Sequence, residues 1–330
     1  MRTRGGIGRA AVGIAISAVA LFLVVRSVDI GATWAAMRSA QPGWLLLLAS
    51  FVTTDLLIRG LRWRVLLSPV GRVSYRASLG ALLVGYLANN VLPARLGEII
   101  RSHEMGERSG LSKSTILGTI VVERVIDTIV VVVIASAAIF VLSVRGIVAS
   151  AVLVGLAITA ILVVLIALGL AAHRLPGADR LSAFINRWPR VHGLLVRLRT
   201  GLAITRNVRV MAISLVLTLA SWSCSVLAFA AAAQSVGIEP TMGQAALLAA
   251  GVNLATAVPA APGYVGTFEL AAVTIAASVG IDREPALAFA VLVHAFSLLI
   301  TSIGGVVALL AGGRRRARVE ASVAEPGSET

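Results

Sequence analysis

The residues of this chain that could do chemistry are polar and charged side chains set inside strongly apolar sequence. The densest group surrounds a helix break at Pro93 and Gly97 and contains Asn89, Asn90, Arg95, Glu98 and Arg101. A charge inside a bilayer costs at least about 2.5 kcal/mol on insertion scales, so each of these residues is a candidate functional residue. Guanidinium groups bind phosphate in a bidentate manner, and the free N–H groups of a helix end add to such a site. The group therefore predicts a site for the phosphate of a phospholipid or of a polyprenyl phosphate.

A simpler interpretation of the same group is a cluster at the membrane surface that neutralises itself. Glu98 and Arg101 are one helical turn apart if the chain after Gly97 is helical, so they could form an ion pair. The amides of Asn89 and Asn90 favour the binding site, because polar, non-helical chain is tolerated in lipid only where it lines a cavity. Both interpretations stay open at the level of sequence.

A second charged group falls within an apolar run and consists of Glu123, Arg124 and Asp127. On a helix Glu123 and Asp127 share one face, and Arg124 is spaced to pair with Asp127. The group could supply counter-ions for Arg95 and Arg101, or form part of a proton or cation path. It could equally be an interhelical salt bridge that fixes packing.

A third feature is an acid beside a second helix break. Glu269 is isolated in apolar sequence and follows Pro259, Pro262, Gly263 and Gly266. Proline and glycine at this spacing interrupt a helix and leave backbone groups that need partners. We therefore expect Glu269 to accept a hydrogen bond from a helix end, or to bind a proton or a cation, unless its role is only structural.

Two other polar features have plainer interpretations. Asp55 and Arg59 are one turn apart near the end of an apolar run, and we expect a surface pair that sets topology. His294 is expected to be a packed polar residue. The sequence contains no metal-ligand spacing, catalytic triad or phosphate-binding glycine loop, so we expect no cofactor, no metal and no enzymatic activity.

The elements that position these residues must be membrane-spanning helices. Of the 330 residues 58% are hydrophobic, and the mean hydropathy is +0.94. The formal charge of +14 comes from arginines beside the apolar runs, which indicates contact with anionic lipid headgroups rather than with nucleic acid. The predicted fold class is all-α, in a polytopic integral membrane protein.

The apolar runs divide into full spans and interrupted ones. We expect six full spans, at about residues 8–25, 43–58, 116–143, 147–171, 211–235 and 286–311. Two further regions, about 77–104 and 244–280, carry the breaks and are expected to be re-entrant helical hairpins, although hydropathy alone counts about eight spans. The positive-inside rule then places both termini in the cytoplasm, and the two hairpins enter from opposite sides as in a pseudo-inverted repeat.

Two segments are not expected to cross the membrane. Residues 181–202 carry apolar side chains at helical spacing with arginines between them, which indicates either a helix on the cytoplasmic leaflet or a basic loop. Residues 313–330 are basic and then polar, and a disordered cytoplasmic tail is expected. The transmembrane domain is therefore assigned to residues 1–312.

Four motifs, taken in order, resemble the flippase-like transmembrane family, which includes the membrane domain of lysylphosphatidylglycerol synthase. They are Arg59-Gly-Leu-Arg-Trp-Arg64, Asn89-Asn-Val-Leu-Pro-Ala-Arg-Leu-Gly-Glu-Ile-Ile-Arg101, Glu123-Arg-Val-Ile-Asp127 and Pro262-Gly-Tyr-Val-Gly-Thr-Phe-Glu269. The resemblance covers roughly residues 8–312. It implies a protein of the cytoplasmic membrane that moves a lipid or a lipid-linked headgroup between leaflets. The soluble aminoacyltransferase domain of the fused synthases is missing, so we expect no synthase activity.

The leading hypothesis is a lipid translocase whose partners are membrane lipids. Arg95, Arg101 and Arg124 would hold an anionic headgroup near Asn89 and Asn90, while the acids Glu98, Glu123, Asp127 and Glu269 would balance charge or accept a cationic group. The hairpins would rearrange at Pro93, Gly97, Pro259, Pro262, Gly263 and Gly266. The alternative is a membrane subunit or an enzyme of lipid-linked glycan synthesis or lipid modification, with a lipid-modifying enzyme as partner.

Overall fold

The computed structural model describes residues 4–92, 96–171, 203–256 and 260–324 of the chain. This part is helical and contains no strand. Its α-helices are α1 (Arg4–Ser27), α2 (Ile30–Arg38), α3 (Pro42–Leu67), α4 (Tyr75–Val91), α5 (Gly97–Ser109), α6 (Lys113–Leu142), α7 (Ile147–Ala171), α8 (Val208–Ser235), α9 (Met242–Ala255), α10 (Thr267–Ser278) and α11 (Arg283–Ala324). Short 3-10 helices lie at Ala203–Arg206 and Pro262–Tyr264. The all-α class predicted from the sequence is confirmed.

Four helices of the described part, α3, α6, α8 and α11, are long and apolar enough to cross a membrane. α1 meets the same criteria only together with α2, and the two are bent by 87°. The bend was not predicted; it follows from Asp29, whose Oδ1 accepts a hydrogen bond from Ala32 N at 3.0 Å and so begins a new helix. The chain is a polytopic helical membrane protein, as the apolar composition required.

The first interrupted region folds back on itself as a helical hairpin of α4 and α5. A Cβ atom added to Gly85 would lie 3.0 Å from Arg101 Cβ, and Asn89 Oδ1 accepts a hydrogen bond from Gly97 N at 2.8 Å. Because residue 85 meets 101 and residue 89 meets 97, the arms run antiparallel. A Cβ at Gly97 would collide with the Gly85 carbonyl oxygen, so this close approach requires glycine.

The second interrupted region forms a matching hairpin of α9 and α10. A Cβ added to Gly251 would lie 2.7 Å from Ile275 Cδ1. Closer to the open end, Gln244 Nε2 donates a hydrogen bond to Val279 O at 3.0 Å. These pairs show that the arms are antiparallel. Both predicted hairpins are therefore present, and each pairs two helices that are shorter than the spanning helices.

The two hairpins approach α11 from opposite ends. At the open end of the first hairpin, a Cβ atom added to Gly312 would lie 3.1 Å from Arg108 Nη2. Gly312 is the last residue of the apolar span of α11. The second hairpin ends at Ser278, shortly before α11 begins at Arg283. Since the open ends lie at opposite ends of one spanning helix, the hairpins enter the bundle with opposite polarity, as the sequence predicted.

The tips of the hairpins meet near the middle of α11. From the first tip, Asn90 Nδ2 donates a hydrogen bond to Thr301 Oγ1 at 2.9 Å. From the second tip, Gly263 O lies 2.6 Å from His294 Nε2. The tips also touch each other, because a Cβ added to Gly263 would lie 3.6 Å from Asn90 O. Broken chain from both halves thus converges at the centre of the bundle.

The described helices form two similar halves that are inverted relative to each other. Each half is a long helix, a hairpin and a second long helix: α3, α4–α5 and α6, then α8, α9–α10 and α11. α3 packs along α8, and the contact of α4 with α11 is matched by the contact of α9 with α6. α3 and α8 are antiparallel, since Gln41 N donates to Ser235 O and Arg62 Nη1 donates to Thr218 Oγ1, both at 2.9 Å. The pseudo-inverted repeat predicted from the sequence is confirmed.

Two sequence predictions fall partly or wholly outside the described residues. Residues 181–202, predicted to be an interfacial helix or a basic loop, are not among the described residues. The segment 313–330 is described only as far as Ala324, and α11 continues to that residue where the composition predicted disorder.

Candidate functional site

Seven charged side chains from three helices form one network, which we call the ionic cluster. It consists of Asp55, Arg59 and Arg62 from α3, Arg101 from α5, and Glu123, Arg124 and Asp127 from α6. Every member lies in a spanning helix or in the first hairpin. Charges at such depth require partners within the protein or a water-filled cavity, and the network supplies most of them.

Arg62 lies at the centre of the ionic cluster and has no exposed side-chain surface. Its Nη2 donates a hydrogen bond to Asp127 Oδ2 at 2.9 Å and lies 3.2 Å from Glu123 Oε1. Its Nη1 donates to Thr218 Oγ1 at 2.9 Å. The planar guanidinium can serve several acceptors at once, so Arg62 ties α3 to α6 and α8.

Arg101 connects the first hairpin to this centre. Its Nη1 and Nη2 donate to the two oxygens of Glu123, at 3.0 and 2.6 Å, in a bidentate pair. The guanidinium also lies 3.6 Å from the ring centroid of Trp63, and Trp63 Nε1 donates to Thr119 Oγ1 at 3.2 Å. Arg101 is therefore fixed in place, and it orients Glu123.

Asp55 and Arg59 extend the ionic cluster toward α8. Arg59 Nε donates to Asp55 Oδ2 at 2.8 Å, and Arg59 Nη1 lies 3.9 Å from Asp127 Oδ2. The Ser221 hydroxyl donates to Asp55, and the Arg59 guanidinium lies 5.7 Å from the ring centroid of Trp222. The expectation of a surface pair at Asp55 and Arg59 is wrong, because partners from α6 and α8 enclose it.

Arg124 differs from the other members because 42% of its side-chain surface is exposed. Its Nη2 donates to Glu123 Oε1 at 2.7 Å and lies 3.6 Å from Asp127 Oδ2, which confirms the spacing argument for Arg124 and Asp127. Its Nε is buried and has no hydrogen-bond partner among the described residues. Arg124 is thus anchored by the two acids of α6, while part of its side chain remains exposed.

The ionic cluster has an excess of positive charge. Four arginines face three carboxylates, so the formal sum of the seven side chains is one positive charge. Arg59, Arg62 and Arg101 are all buried or nearly so, and each has a carboxylate partner within 3.0 Å. Arg124 is also paired, 2.7 Å from Glu123 Oε1, and it differs from the other three arginines of the cluster in its exposure.

Arg124 is one of the residues that line a pocket of about 260 Å³ between α5 and α6. The pocket is lined by Glu98, Leu117, Ile120, Val121, Arg124, Val125 and Thr128. Apart from Glu98, Arg124 and Thr128, these side chains are hydrophobic. The ion pair that Glu98 and Arg101 could have formed is not present, because Arg101 pairs with Glu123. Glu98 lines the same pocket as Arg124.

A second polar site lies at the tip of the second hairpin and contains Glu269 and His294, which we call the tip pair. Glu269 Oε2 accepts a hydrogen bond from Gly266 N at 2.7 Å, as predicted for an acid at a helix start. Glu269 Oε1 lies 2.6 Å from His294 Nδ1. His294 was expected to be a packed polar residue. It does more than pack, because both of its ring nitrogens contact the second tip.

The predicted hinge residues differ in what the structure shows of them. Gly263 and Gly266 have φ of 68° and 86°, values that favour glycine, and Pro262 begins the 3-10 helix of the second tip. Gly97 allows the close packing of the first tip. Pro93, Arg95 and Pro259 lie outside the described residues.

Sequence reasoning missed Arg62, Trp63 and the hydroxyls of α8. Residues 59–76 contain five arginines and no acid, and the positive-inside rule treats such a basic stretch as a unit. The partners of Arg62 lie 65 residues away at Asp127 and 156 away at Thr218. The available signal was the spacing of Asp55, Arg59 and Arg62, which places three charges on one face of an otherwise apolar helix.

The fold and the ionic cluster define a helical membrane protein with an inverted repeat. The chain belongs to the family described as the lysylphosphatidylglycerol synthase TM region, which it matches over residues 10–305. It is 26% identical to a Haloferax volcanii protein named glycosyltransferase AglD, over 90% of this chain and 53% of that protein. It is 29% identical to a UPF0104 membrane protein of Methanothermobacter thermautotrophicus, over 42% of this chain and 41% of that protein. The chain thus spans about half the length, or less, of these curated relatives.

Proposed function

We propose that this protein moves a lipid with an anionic headgroup, a phospholipid or a polyprenyl-phosphate-linked molecule, between the leaflets of the cell membrane. The observation that carries the proposal is Arg124. It is the most exposed arginine of the ionic cluster, and it lies at the edge of an apolar pocket. A phosphate joined to an apolar chain matches a guanidinium beside hydrophobic side chains.

The other charged residues would support this interaction. Glu123 and Asp127 hold the Arg124 guanidinium, and Arg101 fixes Glu123. Arg95, close to the start of α5 in sequence, would add a second cation, and Asn89 and Asn90 would line the first tip. A pocket of about 260 Å³ suits a headgroup rather than a whole lipid, so the acyl or prenyl chains would remain in the bilayer. Glu98 would contact a cationic or hydroxyl part of the headgroup.

The inverted repeat supports a transport cycle. Hairpins of opposite polarity whose tips meet at the bundle centre are typical of proteins that open alternately to two sides. Pro93, Gly97, Pro259, Pro262, Gly263 and Gly266 would act as hinges of the two tips. By the positive-inside rule both termini would lie in the cytoplasm.

A reconstituted flipping assay tests this function. The full chain is placed in liposomes that carry trace amounts of a headgroup-labelled fluorescent phosphatidylglycerol, and external dithionite measures how fast inner-leaflet probe becomes accessible. Arg124→Gln should slow the protein-dependent rate about tenfold or more, because a hydrogen bond to a charged group contributes roughly 1.5–3 kcal/mol.

The matched control is Arg64→Gln, which removes an exposed arginine two residues beyond Arg62 that donates to a backbone carbonyl. Liposomes with this variant should lose fluorescence to dithionite at the parent rate. Equal rates for parent, Arg64→Gln and Arg124→Gln, with all three proteins folded, would show that Arg124 does not bind the headgroup. A parent rate no higher than that of empty liposomes would contradict phospholipid translocation.

A second candidate function is favoured by one relative. The Haloferax protein is named a glycosyltransferase, and this similarity supports a role for this chain as a membrane subunit in the synthesis of a lipid-linked glycan. Incubation of the purified protein with polyprenyl phosphate and nucleotide-activated sugars, followed by mass spectrometry, would distinguish the two. A glycosylated lipid product favours the second candidate.

A further inference from the structure

His294 is held between two groups that both accept hydrogen bonds. Its Nδ1 lies 2.6 Å from Glu269 Oε1, and its Nε2 lies 2.6 Å from Gly263 O. A carboxylate and a backbone carbonyl have no proton to donate, and a neutral imidazole has only one N–H. Both short contacts are hydrogen bonds only if the tip pair holds one proton more than a neutral histidine beside an ionised glutamate.

Two arrangements place this extra proton. Either His294 is an imidazolium that donates to both oxygens, or Glu269 is protonated and donates to Nδ1 while Nε2–H donates to Gly263 O. The tip pair is neutral overall in both arrangements, which suits its burial. Gly266 N donates to the other oxygen of Glu269 in both.

The surroundings of the tip pair are apolar or uncharged. The Phe268 ring stacks on His294 with centroids 4.3 Å apart, and the backbone of Ala261 donates to Ser17 Oγ of α1 at 2.9 Å. Tyr264 lies in the same tip, next to Gly263. Several elements pack against α10 and α11, and α7 and α9 among them carry no charged or titratable side chain. The others carry Arg4, Arg9 and Arg26 of α1, Arg38 of α2, Asp55, Arg59, Arg62 and Arg64 of α3, Tyr75, Arg76 and Tyr86 of α4, and Arg209 and Cys224 of α8. The hydrogen bonds and ion pairs of the described residues join none of this set to the tip pair.

We propose that Glu269 and His294 form a proton-binding site, and that its proton holds the second tip closed on α11. When the proton passes to water, one ring nitrogen presents a lone pair to an acceptor 2.6 Å away. That contact becomes repulsive, and the carbonyl of Gly263 or the carboxylate of Glu269 loses its partner on α11. The second tip then opens without any change in the first half.

The inverted repeat explains why only the second half responds to loss of the proton. In the first half, the second arm of the hairpin is joined to the following long helix by Arg101 and Glu123. In the second half, Glu269 and His294 join the corresponding elements. A guanidinium keeps its charge at all ordinary pH, whereas an imidazole does not. The first tip is therefore held by a permanent ion pair and the second by an exchangeable proton. Lipid binding at Arg124 does not require this proton, so the inference goes beyond the proposed function.

Thiol labelling across a range of pH tests the site without any transport assay. In a Cys224→Ser background, Ala261→Cys places a probe in the second tip, and the labelling rate by a maleimide is divided by that of Gly43→Cys. Gly43 has open space around it, so the ratio cancels the effect of pH on the thiol itself. The ratio should rise about tenfold or more as pH is raised, because an unpaired buried group destabilises the closed tip.

Substitutions in the tip pair test whether its proton causes the pH dependence of labelling. Glu269→Gln keeps the geometry of a protonated glutamate and donates to Nδ1, so the tip should label slowly at every pH. His294→Gln carries both of its N–H groups on one amide nitrogen, which cannot occupy the positions of both ring nitrogens. One acceptor therefore loses its partner, and the tip should label fast at every pH. His103→Gln, a control at an exposed histidine that contacts Lys113, should follow the parent curve.

Two results would overturn the proposal. One is a parent ratio that does not change with pH. The other is a pH-dependent ratio that persists unaltered in both Glu269→Gln and His294→Gln. If Glu269→Gln fails to fold, the labelling ratios of the parent and of His294→Gln across the pH range still test the proposal. Because no lipid enters this test, its failure is distinguishable from failure of lipid translocation.

Discussion

Arg62 joins two acids of α6 to a hydroxyl of α8, and this single side chain explains why charges are stable so deep in the bundle. Sequence reasoning identified Glu123, Asp127 and Glu269 because acids are rare in apolar runs. It identified Arg124 because this residue lies between two of them. It did not identify Arg62, because the positive-inside rule counts every arginine of a basic stretch alike. Which arginine turns inward depends on acids 65 residues away, and that pairing is a property of the fold.

Removal of Arg62 should destabilise the protein strongly. Arg62→Met leaves Asp127 and Glu123 without their central cation, and breaking a buried ion pair by removal of one partner costs about 3–5 kcal/mol. Arg64→Met, two residues further on and exposed, should change stability by less than about 0.5 kcal/mol. Thermal unfolding in detergent, followed by intrinsic fluorescence, compares the two. Similar Tm values for both variants would mean that the ionic cluster does not hold the helices together.

At the scale of elements, the two hairpins were predictable because proline and glycine interrupt helices in a recognisable way. The closing contacts were not predictable. Asn89 closes the first hairpin by accepting from Gly97 N, and Glu269 with His294 joins the second hairpin to α11. The bend of 87° between α1 and α2 was not predictable either, since apolar content alone does not reveal a helix that starts anew at a capping aspartate.

The first hairpin should tolerate no side chain at Gly97. Gly97→Ala places a methyl group against the Gly85 carbonyl and the Asn89 amide, and overpacking of this kind costs about 1–3 kcal/mol. Gly43→Ala, in the first turn of α3 with open space around it, is the matched control. Thermal unfolding should show a lower Tm for Gly97→Ala only; an unchanged Tm would argue against the close packing of α4 and α5.

At the scale of the whole molecule, two inverted halves bring their broken tips together at the centre, with the ionic cluster in the first half and the tip pair in the second. The repeat was predictable because each half has the same order of long helix, broken region and long helix. The closeness of the tips was not, since Asn90 and Gly263 are far apart in sequence. The proposed lipid translocation and the proposed proton binding both depend on this arrangement.

The sidedness of the hairpins tests the central claim most directly. In a Cys224→Ser background, Ser112→Cys marks the open end of the first hairpin and Met242→Cys that of the second, at positions that are both exposed. A membrane-impermeant maleimide is added to sealed vesicles of known orientation, from outside or after loading inside. The inverted repeat predicts that the two cysteines are labelled from opposite sides. Labelling of both from the same side would contradict it.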